Sequence, residues 1–556
     1  MNLLRSKKFQ KHIAGVESWT TEISSVSPLF NYSTSVSISS SIWDDIHIET
    51  WLRTFLSLDG EVSFGIELIK HPLLEVAILQ QRQESLQFFQ YRKGLILNKD
   101  TENTLEWLRG VSHLDKNYLY NVLFPSSWYM KWMYLQPDIC TLYQLYRCYF
   151  SPLSSSIYPF TLLLGPYWFV KNKLQWNLSL FQYFNLLKQA FMFIKQTTYA
   201  SSTDWYKFVA IIFVYVSIYI YSTAQIIDLS LQLHKFRTLI LSKIKILINI
   251  QKKLKCMYTF YGNYEFWKPY EPEINTSDLF FQIKPNLYTF HKLVTQPMMK
   301  QKIERLYKVC IIHDTLIKLS KKLSEEWCIP VYGSETFIGN MKNPMLSEKQ
   351  VANPICLQKH LVISGPNAGG KTTYVKSLLW NILLGQSFGI VYGAYCQLKL
   401  YDAIIHHHRV KDITGDQSLF QAEMFKIKET LEILQTHTSA IYFLDEPMHS
   451  THPVDGAAML SALMYYLSPH KNIQVILTSH YFSIQTIAQE VPLRFQNLCV
   501  KAILMNKQVL FDFKIYRGGS QQTVGIELLE KEGFPEEIFI TATKIKNKIY
   551  SQRVNV

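Results

Sequence analysis

Residues 361–373 read LVISGPNAGGKTT, a stretch with the residue types and spacing to hold a phosphate chain. An apolar run leads into the pattern G-x-x-x-x-G-K-[ST], with Gly365, Gly370, Lys371 and Thr372 at its defining positions. Pro366, Asn367, Ala368 and Gly369 complete the loop, and Thr373 follows it. Glycines let backbone N–H groups turn inward around phosphate oxygens, and a helix starting here adds the positive end of its dipole. Lys371 would reach the β- and γ-phosphates, while the Thr372 hydroxyl would sit on Mg²⁺. A chance glycine-rich turn requires no lysine, so the pattern predicts ATP and Mg²⁺ as ligands.

The second half of such a site is SAIYFLDEP at 439–447, an apolar strand ending in two carboxylates. Asp445 would hold the Mg²⁺ shell, and Glu446 would orient or deprotonate the attacking water. A further apolar run, IQVILT at 473–478, is followed by Ser479 and His480. An imidazole at the C-terminal end of a central strand stands where ligands bind in open α/β sheets. The triple His406-His407-His408 invites a metal reading. Neighbouring strand side chains point to opposite faces, however, so three consecutive imidazoles converge poorly.

These residues need a parallel sheet and helices to position them. A helix is expected from 374 to 385, another over 417–434, and a linker-like turn region over 330–344. Upstream, residues 1–41 read as a poorly ordered basic and Ser/Thr-rich lead-in, and 42–147 as a helical region. Residues 229–328 are Lys-rich and helical; in 237–255 apolar residues recur at spacings of three and four with lysines opposite. Those lysines suit a solvated face, and some of them suit phosphate contact.

Residues 148–228 differ in kind. No charge occurs from 148 to 170, although Pro152, Pro159 and Pro166 interrupt the run, and none occurs from 208 to 227. Twenty residues is the length a bilayer-spanning helix needs. A membrane hairpin, a buried helix pair and a partner-facing surface all remain open readings of this insert.

At 556 residues the chain is too long for one ordinary core. Its 48% hydrophobic and 14% aromatic content exclude a disordered chain, and a net charge of +14 suits a polyanionic partner. Eight scattered cysteines form no CxxC pair, which argues for a reducing compartment and against structural zinc. The N-terminus shows no secretory signal pattern.

Taken together the motifs resemble the MutS family of ATPases. The family's GPNxGGK[ST] is GPNAGGKT here, and its S-T-F-x-x-E-M is similar to SLFQAEM at 418–424. DEPMHSTHPVDG at 445–456, Ser479-His480-Tyr481 and VGIELLEKEGFPEE at 524–537 match three further motifs in order. Weaker similarity covers 45–125. The resemblance implies a C-terminal α/β P-loop NTPase domain of the ABC type at 329–515, preceded by mostly α-helical lever and clamp domains. A C-terminal helical dimerisation segment at 516–556 would follow. It also implies a DNA-binding clamp acting in mismatch repair or recombination on duplex or branched DNA, intracellular, in nucleus or cytoplasm. A copy of itself or a MutS-like paralogue would complete the dimer. The uncharged runs of 148–228 carry the alternative, a membrane-associated P-loop ATPase with no direct mismatch reading. Ser418 of one subunit would approach the phosphate held by Lys371 of the other, and His480 would sense it. The sequence departs from the family at Asp416 and Leu419 around the signature serine, and at Gln350, where the family carries the aromatic that stacks on adenine. No mismatch-reading domain is expected; the resemblance is to a divergent, giant-virus-like member.

Overall fold

In a computed structural model the described residues are 36–90, 97–109, 118–124, 137–198, 202–261, 287–323, 326–347, 349–407, 419–505, 508–520, 522, 524–531 and 533–554. They fall into two compact units. Among the described residues the first comprises those up to 98 and from 308 on, and the second those of 99–261 and 287–307.

The first unit is built on a seven-stranded sheet. In chain order its strands are β1 (Ser37–Ile38), β2 (His360–Ser364), β3 (Ala403–His407), β4 (Ala440–Asp445), β5 (Ile473–Thr478), β6 (Phe495–Met505) and β7 (Gln508–Arg517). The order across the sheet is β1-β3-β4-β5-β2-β6-β7. All neighbours are parallel except β6 and β7, which pair antiparallel at one edge. Every residue of β2, β3 and β4 is buried. Parallel strands covered on both faces read as continuous apolar runs, which is why LVIS and AIYFL were legible as strands. Register then sets Asp445 beside Thr478, and Thr478 beside Ile363, so three strand ends finish in one row.

Helix Lys371–Ser387 follows β2 and is buried on nearly every side. It begins three residues before the expected 374, because Gly370 (φ 98°) turns the chain directly into it. Helix Asp59–Lys70 packs on it, Trp51 meets Trp380 with ring centroids 5.4 Å apart, and Lys376 pairs with Asp45 at 2.5 Å. Residues 42–90 therefore fold with the ATPase-like sheet, not with the rest of the expected 42–147 helical region. Most of the expected lead-in lies outside the described residues, but Ser37–Ile38 forms the edge strand β1. The turn region at 330–344 instead contains strands Val331–Tyr332 and Phe337–Met341 of a separate four-stranded sheet. Short runs among glycines and prolines carry too little periodicity to announce such strands.

The second unit is helical. Its longest element is Ser202–Tyr261, a single helix of 60 residues that joins the uncharged 208–227 run to the Lys-rich 237–255 run. Asp228, where the sequence changes character, leaves the helix unbroken because aspartate interrupts neither backbone hydrogen bonds nor sterics as proline does. Lys243 donates to Thr104 Oγ1 at 2.9 Å, and Trp107 stacks on Phe290 at 5.7 Å. Helix Leu287–Thr295 also belongs to this unit, and helix Pro297–Ser320 belongs to it through residue 307 and to the first unit from 308 on.

Candidate functional site

The phosphate-type loop at 365–370 leaves β2 and enters the Lys371–Ser387 helix. Gly365 has φ 132°, and a Cβ there would lie 2.5 Å from the Val500 carbonyl oxygen, so only glycine fits. Ala368 also adopts a left-handed φ of 64°. Such a loop aims successive N–H groups into one concavity, the geometry that receives anions. Lys371 is 4% exposed. Its ammonium donates to the Gly365 and Pro366 carbonyls at 3.0 and 3.2 Å and lies 3.5 Å from Glu446 Oε1. Burial lowers its pKa from the ordinary lysine range, against the opposing pull of Glu446 and Asp445.

Register carries the carboxylates to the same place. Asp445, at the end of β4, accepts from Thr372 Oγ1 at 3.2 Å and from Thr478 Oγ1 at 2.6 Å. A hydroxyl and a carboxylate together form the hard-oxygen donor set that Mg²⁺ takes, so these residues fit that ion. Glu446 sits in the left-handed region (φ 49°), a strained conformation for a side-chain-bearing residue. Two hydrogen bonds hold it there, from its N–H to the Thr478 carbonyl (3.2 Å) and hydroxyl (2.9 Å). Its carboxylate meets His480 Nε2 at 2.6 Å, and that nitrogen is 3.4 Å from Lys371 Nζ. Lys371, Thr372, Asp445, Glu446 and His480 thus converge from three adjacent strand ends.

A cleft of about 560 Å³ opens beside this group, lined by Asn367, Ala368, Gly370, Lys371, Thr372 and Thr373 on the loop side. Gln350, Asn353, Tyr374, Glu446 and Phe513 are among its other walls. Gln350 makes reciprocal hydrogen bonds with the Asn343 backbone, at 2.7 Å to N and 2.9 Å to O, and so closes a turn. Phe513 supplies an aromatic to the cleft instead, from β7, with φ 54° and its carbonyl held by Asn353 Nδ2 at 2.9 Å. Sequence reasoning missed Phe513, because nothing local in the second strand of an edge hairpin announces a contact with a loop 140 or so residues upstream. It also missed Thr478, whose position at a strand end was legible but whose two partners come from another strand.

Glu423, in helix Leu419–Thr436, accepts from the Met448 N–H at 2.7 Å and the Ser450 hydroxyl at 2.9 Å. Burial alone would raise its pKa, but His407 at 3.5 Å and these two donors hold it below the ordinary glutamate range. The glutamate of the SLFQAEM segment therefore fixes the loop that follows the two carboxylates. His406 and His407 are both buried in β3, one near Asp45 at 3.6 Å and the other near Glu423, in keeping with alternate strand faces. Ser418, Asp416 and His408 lie outside the described residues.

Residues 361–550 match the family described as MutS domain V. Among curated proteins, the chain is 24% identical over 284 residues to the DNA mismatch repair protein MutS of Exiguobacterium sp., covering 50% of this chain and 32% of that one. It is 29% identical over 199 residues to the MutS of Clostridium tetani (35% and 22% covered). Against the MutS of Prochlorococcus marinus it is 30% identical over 211 residues (37% and 23% covered). The chain thus spans a third or less of the length of these relatives. Residues 361–550, whose sheet brings the loop lysine, the two carboxylates and the strand-end histidine together, are thus similar to MutS domain V.

Proposed function

We propose that the chain is a DNA-binding ATPase of the MutS type, acting in mismatch repair or recombination and hydrolysing ATP to ADP and phosphate. The observation that carries this reading is the meeting of Lys371, Asp445, Glu446 and His480 at one end of the sheet beside a cleft of nucleotide size. Lys371 and the loop N–H groups would neutralise the β- and γ-phosphate oxygens. Thr372 and Asp445 would hold Mg²⁺, which when bound spreads the charge developing on the phosphates. Glu446 would take the proton of the attacking water, and His480, hydrogen-bonded to Glu446 Oε1, would orient that carboxylate toward it. Phe513 would lie against the base, in the role that Gln350 does not fill.

Two nucleotide sites at a dimer interface, with Ser418 reaching across, belong to the same reading, as does binding to duplex or branched DNA through basic helices. The names of the relatives support DNA as partner, and DNA in turn implies an intracellular site of action, nuclear or cytoplasmic. They give no support to an ATPase without a role on DNA. The test is the rate of ATP hydrolysis alone and with homoduplex, heteroduplex, Holliday-type and single-stranded DNA. A rate indifferent to all four would leave an ATPase without the DNA role; no hydrolysis under any condition would remove both.

A further inference from the structure

The long helix Ser202–Tyr261 changes character along its length. In its later part the buried residues Leu233, Phe236, Ile240, Ile244, Leu247 and Ile250 recur every three or four positions, the stripe of a helix covered along one side. Ahead of residue 219 that stripe is absent, and Tyr219, Thr223 and Ile226 are only half-buried. Ile212, Phe213, Val214, Tyr215 and Val216 are 38%, 71%, 53%, 72% and 49% exposed. Five consecutive residues make more than one full turn, so the helix is apolar here and buries no residue of that turn. The helix contains an 18-residue window of mean hydropathy 1.8 in which no residue is buried. A core helix of equal hydropathy would be mostly buried, and a second protein laid along this one would cover a single stripe.

The dimensions point to lipid. Residues 208–227 lie uncharged between Lys207 and Asp228, and twenty helical residues rise about 30 Å, the thickness of a bilayer's hydrocarbon core. Helix Ser151–Asn172 runs antiparallel beside it: Tyr219 Oη donates to the Ser155 carbonyl, and Ser230 Oγ donates to the Cys148 carbonyl. This second leg is uncharged from 148 to 170, and lipid tolerates helix-interior prolines such as Pro159 and Pro166. Where the two legs meet the connecting segment, Lys171, Lys173 and Lys207 stand among the exposed rings of Trp168, Trp176 and Tyr206. Cations and amphipathic aromatics at the end of an apolar span match anionic headgroups and the interfacial layer. Between the legs, helix Leu180–Thr198 carries Lys188 and Lys195 with exposed Phe181, Phe191 and Phe193, the composition of a helix lying in that layer.

We propose that residues 148–228 form a helical hairpin that inserts into an anionic lipid bilayer, with 208–227 crossing the hydrocarbon and 180–198 lying along the headgroups. The proposal stands on the second unit alone and is independent of the ATPase reading. The full-length protein, purified in detergent, is mixed with phosphatidylcholine vesicles with and without phosphatidylglycerol, freed of detergent and floated on a density gradient. Wild type should float, more completely with phosphatidylglycerol, and should stay bound through high salt and alkaline carbonate. The double variant Val214→Asp/Ile218→Asp alters two exposed positions, and each aspartate should lower partitioning at least ~100-fold. Circular dichroism reports whether its helices persist. A measurement free of any variant is chymotrypsin digestion of the floated protein, which should spare 208–227, whereas digestion without lipid should cut after Phe213 and Tyr215. Protein that stays at the bottom of the gradient, washes off in salt or is cut within 208–227 on vesicles overturns the proposal. So does a detergent-free dimer that fails to bind vesicles and is broken by the aspartate pair, since a second copy would then cover the hairpin.

Discussion

Thr478 offers the sharpest test of how the sheet assembles the site. Its side chain is fully buried, and its hydroxyl does two things at once. It donates to Asp445 Oδ1 at 2.6 Å and accepts from the Glu446 N–H at 2.9 Å. Thr478→Val keeps the volume and the β-branched shape while removing both bonds. A hydrogen bond to a charged group is worth about 1.5–3 kcal/mol and a neutral one about 1 kcal/mol, so the loss should approach ~3 kcal/mol of stability. The carbonyl of residue 478 still accepts from the Glu446 N–H at 3.2 Å, which limits the loss to the hydroxyl's own bonds. The catalytic consequence is separate. Glu446 holds a left-handed φ of 49°, and a residue so strained relaxes when a restraint goes. A carboxylate displaced by about 1 Å loses on the order of 10²-fold in rate. Urea denaturation measures the first effect, and single-turnover hydrolysis with saturating ATP measures the second. A variant within about 0.5 kcal/mol of wild type and hydrolysing at the parental rate would refute the claim that Thr478 holds the two carboxylates in place.

Lys371→Ala should abolish tight ATP binding, because it removes the buried cation of the phosphate loop; nucleotide affinity measured by fluorescence would stay unchanged only if the loop holds no phosphate. Glu446→Ala should leave ATP bound and slow hydrolysis by roughly 10²–10⁴, the span of general-base catalysis, and a parental rate in quench-flow would move that role to His480. Replacing Lys252, Lys253 and Lys255 by Gln, on the helix Ser202–Tyr261, should weaken binding to all duplexes alike and flatten the salt slope by up to about three. Fluorescence anisotropy across a salt series reads this, and an unchanged slope would place the phosphate contacts elsewhere. In the same assay wild type should bind a single-mismatch duplex no more tightly than a perfect one; a clear preference would mean that this chain reads the mispair itself.

Much of the site was legible because its parts are short, contiguous and chemically unusual. A lysine after four loop residues and two glycines, and two carboxylates closing an apolar strand, are each local patterns, and the structure sets them at neighbouring strand ends. Gln350 was equally legible as a departure, since a polar residue cannot stack as an aromatic does. The partners that hold these groups were not legible. Glu446 meets His480 from the end of the neighbouring strand, Thr478 reaches Asp445 across the same pair, and Phe513 arrives from the edge strand. Strand order and register decide those meetings, and both depend on pairings between segments tens of residues apart that leave no local trace. The uncharged run at 208–227 shows the same division. Its length and lack of charge are properties of the sequence by itself. Whether that surface is buried is a property of packing, because apolar composition is common to a core helix and to a lipid-facing one. The tertiary structure alone shows a continuous helix whose later half lays a stripe of apolar residues against its neighbours, while its earlier half, beside a single antiparallel helix, leaves a full turn at 212–216 exposed.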